Sequence, residues 1–172
     1  NRDLKNRCSE VKSFAFLTLE NQYGLWLDHW LYSDEDTCFF YGKARHQSFP
    51  LFYHGIGRNS PAEVQSVIDG EYLLIRERIM RETWPSLYCG LELDYQGLTG
   101  IEYLNSAEDF TVPDVGSMGS RNMGLGLGVI YNNIHNAMNP RKGVYSEWGF
   151  LNYHSLDGRD FNFISYIADT RV

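Results

Sequence analysis

The feature that most constrains this chain is a period of two in its apolar residues. The segment 87–96 is the clearest case, because apolar side chains occupy the odd positions and mostly polar or small ones the even positions. Such a period places alternate side chains on opposite faces of a β-strand. The same alternation marks the segments 11–20, 25–31, 38–45, 123–131, 144–150 and 161–167. Together with 87–96 and a further strand after Gly70, these segments predict about eight antiparallel strands, and the fold class is all-β.

Turn-forming residues separate the predicted strands, and two connections are long. These connections cover about residues 48–70 and 97–122, and connections of more than about 15 residues usually carry function or local structure. In the first, Ser60-Pro61-Ala62-Glu63 has the form of a capping box with proline at the first helical position. We therefore expect a short helix over 61–69. The whole chain, 1–172, is predicted to be one β-barrel domain or one segment of a barrel.

Composition excludes several classes of protein. A net charge of −7 with scattered basic residues argues against nucleic acid as a partner. No apolar run approaches the ~20 residues of a membrane-spanning helix, whereas a membrane β-barrel needs only alternating segments of about 10 residues. The cysteines Cys8, Cys38 and Cys89 are too few for a disulfide scaffold and too far apart in sequence for a zinc site, and they allow at most one disulfide.

The alternation does not determine which face of the sheet is buried. A water-soluble barrel directs its apolar face inward, whereas a membrane barrel directs it toward lipid and encloses a polar lumen. Aromatic residues lie near the predicted strand ends, where interfacial girdles form in membrane barrels. The polar face also carries charged groups in mid-strand, which favours a wide, wet lumen; they are Lys43, Arg45, Arg76, Glu92 and Asp94.

A water-soluble barrel is the main alternative. Gly24-Leu25-Trp26 fits the G-x-W sequence that opens lipocalins, and eight strands in ~170 residues suit a barrel that binds a small apolar ligand. This G-x-W would lie on the second strand, however, and no helix is predicted after the last one. An unassigned β-sandwich is a third interpretation.

Three motifs, in order along the chain, resemble a known family. Phe52-Tyr53-His54-Gly55-Ile56-Gly57-Arg58-Asn59-Ser60-Pro61 is similar to the segment FYGIGNNSP of the bacterial surface-antigen barrels of the outer-membrane assembly-factor superfamily (BamA/TamA type). The glycine-rich strand from Gly124 and the later Asn139-Pro140-Arg141-Lys142-Gly143 resemble that family's glycine-rich strand and NPRRG turn. Gly158-Arg159-Asp160-Phe161-Asn162-Phe163 is similar to its GSDYNF strand opening. The motif residues, with an implied structural role, are Phe52, Tyr53, Gly55, Gly57, Gly124, Gly126, Gly128, Asn139, Pro140 and Gly143.

The chain also departs from the family pattern. No further glycine-rich strand precedes Val11, and no VRGF-type motif follows the segment 164–171. We therefore expect a partial barrel that lacks strands at both ends. Since an open sheet edge cannot face lipid, the remaining strands or a second chain would complete it. The resemblance implies a place in the bacterial outer membrane, lipid and other outer-membrane proteins as partners, and a role in their assembly and insertion or as an accessory barrel.

The chemistry of an enzyme is not predicted. The spacing of Gly124, Gly126 and Gly128 is not that of a dinucleotide-binding loop, and no helix pattern follows it. Glu92 and Asp94 share a strand face, where such carboxylates more often lie in a solvated face or pair with arginines such as Arg76 and Arg78 than catalyse glycoside hydrolysis. The five histidines lack the spacing of metal ligands. We expect no catalytic residue, cofactor or metal site.

Overall fold

The computed structural model describes residues 8–114, 116–134, 142–158 and 162–172. Within these ranges the regular structure consists of β-strands and one short 3-10 turn at Asp34–Asp36, without an α-helix. The all-β prediction is confirmed. The strands are β1 (Glu10–Leu17), β2 (Tyr23–Tyr32), β3 (Cys38–Ser48), β4 (Leu51–Tyr53), β5 (Ser66–Trp84), β6 (Leu87–Leu104), β7 (Ser120–Asn132), β8 (Tyr145–Ser155) and β9 (Phe163–Arg171).

The strands form one antiparallel sheet. Its order is β1-β2-β3-β5-β6-β7-β8-β9, so sequential strands are neighbours, and the short β4 pairs with the beginning of β5. The eight predicted strands are all present, and β4 is an addition that alternation over three residues could not indicate. In the described part of the chain β1 and β9 each pair on one side only. The sheet is therefore open and not closed into a barrel.

The two longest strands extend into the segments that the sequence assigned to loops. β5 begins at Ser66 and β6 ends at Leu104, so the unpaired connections are 54–65 and 105–119 instead of 48–70 and 97–122. The ladder between these strands shifts register between Asp69 and Glu71. This irregularity interrupts the period of two, which is why the alternation understates the strand length.

The helix expected over 61–69 does not form. The Ser60 hydroxyl donates a hydrogen bond of 2.8 Å to the Gly57 carbonyl oxygen, so it closes a turn behind itself instead of capping a helix ahead. The amide of Gln65 donates to the carbonyl oxygen of Tyr53, and Val67 pairs with Leu104. Pairing on both sides outweighs a local signal, since a helix of a few residues has little stability of its own.

The register gives the sheet two distinct faces. Arg78, Glu92 and Leu151 share one face, and Ile79, Leu91 and Leu127 share the other. Side chains on the first face are buried although the described residues form no second layer over the sheet, and one cavity there is lined by residues from β2 to β9. The sheet therefore curls around this inward face, and the opposite face is called the outward face.

Apolar side chains pack on the inward face in more than one place, for example at Leu151 and Tyr153 on β8, and one buried cluster lies at one end of the sheet. A cluster of Phe39, Met80, Tyr88 and Ile130 lies beside the turns at 33–37 and 85–86. The Tyr88 hydroxyl donates a hydrogen bond to the Asp36 carbonyl oxygen at 3.2 Å. The centre of the inward face carries ion pairs.

Candidate functional site: a charged inward face and an apolar outward face

A network of ion pairs occupies the centre of the inward face. Arg78 on β5 places Nη1 2.5 Å from Oε1 of Glu147 on β8 and Nε 3.2 Å from Oε1 of Glu92 on β6. Beside it, Arg76 pairs with Asp94. Glu92 and Asp94 are buried, with 2 % and 0 % of their surface exposed. The prediction that these two carboxylates pair with Arg76 and Arg78 is confirmed.

Glycines on β7 make room for this network. β6 and β7 lie between Arg78 and Glu147 in the sheet order, so the two side chains must cross both strands. A Cβ atom at Gly128 would overlap the Glu92 carboxylate, and one at Gly124 would lie 2.7 Å from the Tyr153 ring. At Gly126 the obstacle would be the backbone of β8. The glycine-rich strand therefore provides a floor without side chains, and its three predicted glycines are placed together there.

Further charged groups line the neighbouring part of the inward face. Arg45 on β3 lies 2.5 Å from Asp28 on β2 and stacks over the ring of Trp26 at 5.2 Å. Lys43, also inward, forms no ion pair with a described residue and lines a cavity of about 480 Å³. The mixture of aromatic and charged residues around this cavity is typical of a wet channel wall and not of a pocket for an apolar ligand.

The outward face is apolar and exposed. Leu91 and Leu127, for example, expose 61 % and 62 % of their surface. Water-soluble monomers rarely expose a continuous apolar surface of this kind. The pattern is thus the reverse of a water-soluble barrel, with charges inside and apolar side chains outside. Further members of this exposed apolar band include Leu25, Leu27, Leu31, Phe40, Ile75, Ile79, Leu125, Trp148, Phe150, Ile164 and Tyr166.

One strand assigns its faces differently from the sequence prediction. The alternation over 161–167 predicts an apolar face made of residues 161, 163 and 167, of which residue 161 lies outside the described residues. Phe163 and Ile167 point inward with Tyr153 and Gly149, whereas Ile164 and Tyr166 continue the outward band. Both parities of this segment are largely apolar, so alternation alone could not separate them.

The first family-like motif lies at one end of the sheet. Phe52 and Tyr53 form part of β4, and Phe52 is exposed while the Tyr53 ring contacts Tyr103 and Phe110. Gly55 and Gly57 follow with φ angles of 114° and 96°, a backbone region that favours glycine. These glycines turn the chain back toward β5.

The later motif residues lie elsewhere. Gly143, with a φ angle of 120°, precedes β8 at the opposite end of the sheet. Asn139 and Pro140 lie outside the described residues. The structure therefore distributes the motif residues over both ends and the centre of the sheet, and it does not bring them together into one site.

Several side chains of these faces were not singled out from the sequence. Glu147 carries half of the Arg78 pairing, and its only signal was its place on the polar parity between Tyr145 and Gly149. The Tyr145 hydroxyl donates a 2.5 Å hydrogen bond to Glu147. A period of two shows which face of the sheet a side chain lies on, but it does not show how far across neighbouring strands that side chain extends. The pairing of Arg78 on β5 with Glu147 on β8 therefore could not be predicted from the alternation.

The remaining expectations concern metals, cysteines and helices. Among the described residues, no group of three or more histidine, cysteine or acidic side chains could hold a metal ion. Cys8, Cys38 and Cys89 are free thiols. The described ranges contain no helix that could span a membrane.

Comparison with models of known protein families, with curated proteins and with solved structures gives no match.

Proposed function

We propose that this chain is part of a transmembrane β-barrel of the bacterial outer membrane. The observation that carries the proposal is the reversed polarity of the sheet. Buried ion pairs such as Arg78–Glu92 lie inside, and an exposed apolar band containing Leu91 and Leu127 lies outside. In water this arrangement exposes apolar surface at a cost, whereas in a bilayer the same band faces hydrocarbon and the charges face a hydrated lumen.

The open edges support a larger assembly. The backbone groups on the free sides of β1 and β9 have no strand partner in the described part of the chain. Unpaired backbone groups cost several kcal/mol each in hydrocarbon. We infer that further strands or a second chain pair with both edges in the membrane.

The inferred role is non-enzymatic, namely helping other outer-membrane proteins to assemble and insert. It rests on the resemblance of the three motifs to the surface-antigen barrels of BamA/TamA type. A sheet whose ends are not joined could offer a weak pairing edge to an incoming strand, which would lower the cost of inserting it. An accessory barrel within a larger complex would use the same outward band and the same edges.

The alternative of a lipocalin-like barrel receives less support. A site for a small apolar ligand is mainly lined by hydrophobic side chains. The cavity on the inward face mixes aromatic and aliphatic side chains with the charged residues Lys43, Arg76, Arg78 and Glu147. A charged interior therefore favours the membrane barrel.

Fractionation of the untagged protein tests the proposal. We expect extraction only with detergent, a mobility on gels that changes on heating, and an assembly larger than the 19.9 kDa chain. A monodisperse, water-soluble species of the size of one chain would contradict it. Reconstituted vesicles with and without the protein would then test whether insertion of an unfolded outer-membrane protein is accelerated.

A further inference from the structure

One ionisable pair interrupts the apolar outward face. His29 on β2 and Glu77 on β5 are register neighbours of Gly42 on the strand between them. His29 Nε2 lies 3.2 Å from Glu77 Oε2. Both side chains bend over Gly42, where a Cβ atom would overlap them. Along their own strands they are flanked by the apolar outward residues Leu27, Leu31, Ile75 and Ile79.

This pair is out of place if the outward face meets lipid, a condition that rests on the proposed function. The side chains of His29 and Glu77 remain 20 % and 40 % exposed. Glu77 Oε1 has no hydrogen-bond donor among the described residues. Ionisable groups at such a depth are costly, and they usually pair with one another or with a partner. The exposed parts of the His29 and Glu77 side chains would therefore be stabilised by a polar surface of a binding partner.

We propose that a second copy of this chain docks on this face, with His29 of each copy opposite Glu77 of the other. Two copies in one membrane are related by a two-fold axis along the membrane normal, which reverses the left-to-right order of the facing strands. β2 of one copy then faces β5 of the other. Since the tips of His29 and Glu77 lie within 3.2 Å of each other, they share nearly the same depth, so the two pairs form a ring of alternating donors and acceptors.

The surroundings of the pair suit close contact between two such faces. Gly42, on the strand at the centre, lets the His29 and Glu77 side chains lie low against the sheet, and Ala44, the next outward residue of that strand, is small. Small residues allow backbones to approach in membranes, where packing and hydrogen bonds drive association. The donor and acceptor side by side make the face complementary to itself, which favours a second copy over an unrelated partner.

Cross-linking tests the geometry. Ala44 lies on the central strand near the proposed axis, so Ala44→Cys would meet its own copy. We expect Ala44→Cys, in a chain whose three native cysteines are replaced by serine, to form a cross-linked dimer in native membranes. The matched control is Leu127→Cys, which is also outward but lies on β7. Equal dimer yields at the two positions, or no dimer at Ala44→Cys, would overturn the proposal.

Exchange of the pair tests its chemistry. In the Ala44→Cys background, His29→Glu gives a copy with two carboxylates and Glu77→His gives a copy with two imidazoles. Each alone should lose about tenfold in cross-linked dimer, as expected for a loss of about 1–2 kcal/mol of hydrogen bonding in a membrane. Co-expression of the two, tagged to differ in size, should restore a mixed dimer. Restoration only when both changes lie in one chain would mean that the pair acts within a single copy.

Detergent extraction and heat-modifiable mobility are recorded for every variant. If an exchanged variant fails to fold, His29→Ala combined with Glu77→Ala replaces it, and the same loss of dimer is expected. A parent chain that is water-soluble would refute the membrane proposal. A parent that is in the membrane but gives no dimer, or that cross-links to other proteins instead, would refute the docking proposal alone.

Discussion

At the scale of single residues, Arg78 is the centre of the inward face. Its side chain is buried, donates a hydrogen bond to Glu147 on β8, and forms an ion pair with Glu92 on the neighbouring strand β6. Buried ion pairs contribute little when complete, but loss of one partner leaves an uncompensated charge on a buried side chain. The network should therefore be sensitive to the loss of its cation.

We expect Arg78→Leu to lower the free energy of unfolding by about 3–5 kcal/mol, because Glu92 and Glu147 would lose their cation. Arg171→Leu is the control, since its pair with Asp169 is largely exposed and should contribute little. Urea titrations of the folded, heat-modifiable form in detergent would measure both. Equal midpoints for the two variants would show that the inward network is well hydrated.

The glycines of β7 give a second prediction at this scale. Gly128→Ala should destabilise the fold by about 1–3 kcal/mol, because the new methyl group would overlap the Glu92 carboxylate. Gly149→Ala serves as the matched control, as its Cβ would lie 3.3 Å from the same carboxylate. The same urea titration would compare them, and a larger effect at Gly149 would contradict the described packing.

At the scale of elements, the faces of a strand could be predicted only where apolar and polar residues alternate strictly. The segment 87–96 assigned both faces of β6 correctly, because each face there has one chemical character. The last strand did not, since both of its parities are largely apolar. The helix expected at 61–69 failed because tertiary pairing, which no local motif encodes, competes for the same backbone groups. The alternation alone did not determine which face points outward; the burial of one face and the cavity along it determined this.

The outward band gives a prediction at the scale of its strands. If the band faces lipid as proposed, Leu127→Arg should destabilise the protein by about 2–4 kcal/mol, the cost of arginine at the centre of a lipid-facing strand. Gln96→Arg, on the inward face of β6, should be tolerated much better because it faces the polar side. Refolding into lipid vesicles at increasing urea would measure both. In a water-soluble protein Leu127→Arg would be neutral.

At the scale of the whole molecule, the sheet has two ends that do not meet. The register of β1 with β2 and of β9 with β8 is unbroken, so side chains continue to alternate between the inward and outward faces up to both edges of the described sheet. Neither strand carries proline, a common device that discourages further pairing. Both edges are therefore prepared to accept another strand.

Hydrogen exchange tests whether these edges are paired in the membrane. Amides on the free sides of β1 and β9 should exchange fast in the purified chain and at least about tenfold more slowly in native membranes, where a partner strand would protect them. The amides of β6, bonded on both sides, should be slow in both samples. Edges that stay unprotected in native membranes would mean that nothing completes the sheet.

The β5–β6 hairpin is longer than a crossing of a bilayer requires. Its strands contain 19 and 18 residues, whereas a tilted strand crosses the hydrocarbon core with about 9–11. The surplus, joined by β4 and held by the rings of Tyr53, Tyr103 and Phe110, would stand above the bilayer as a stiff arm of fixed height. In the proposed barrel, any molecule that approaches the membrane from that side would contact this arm before it reached lipid.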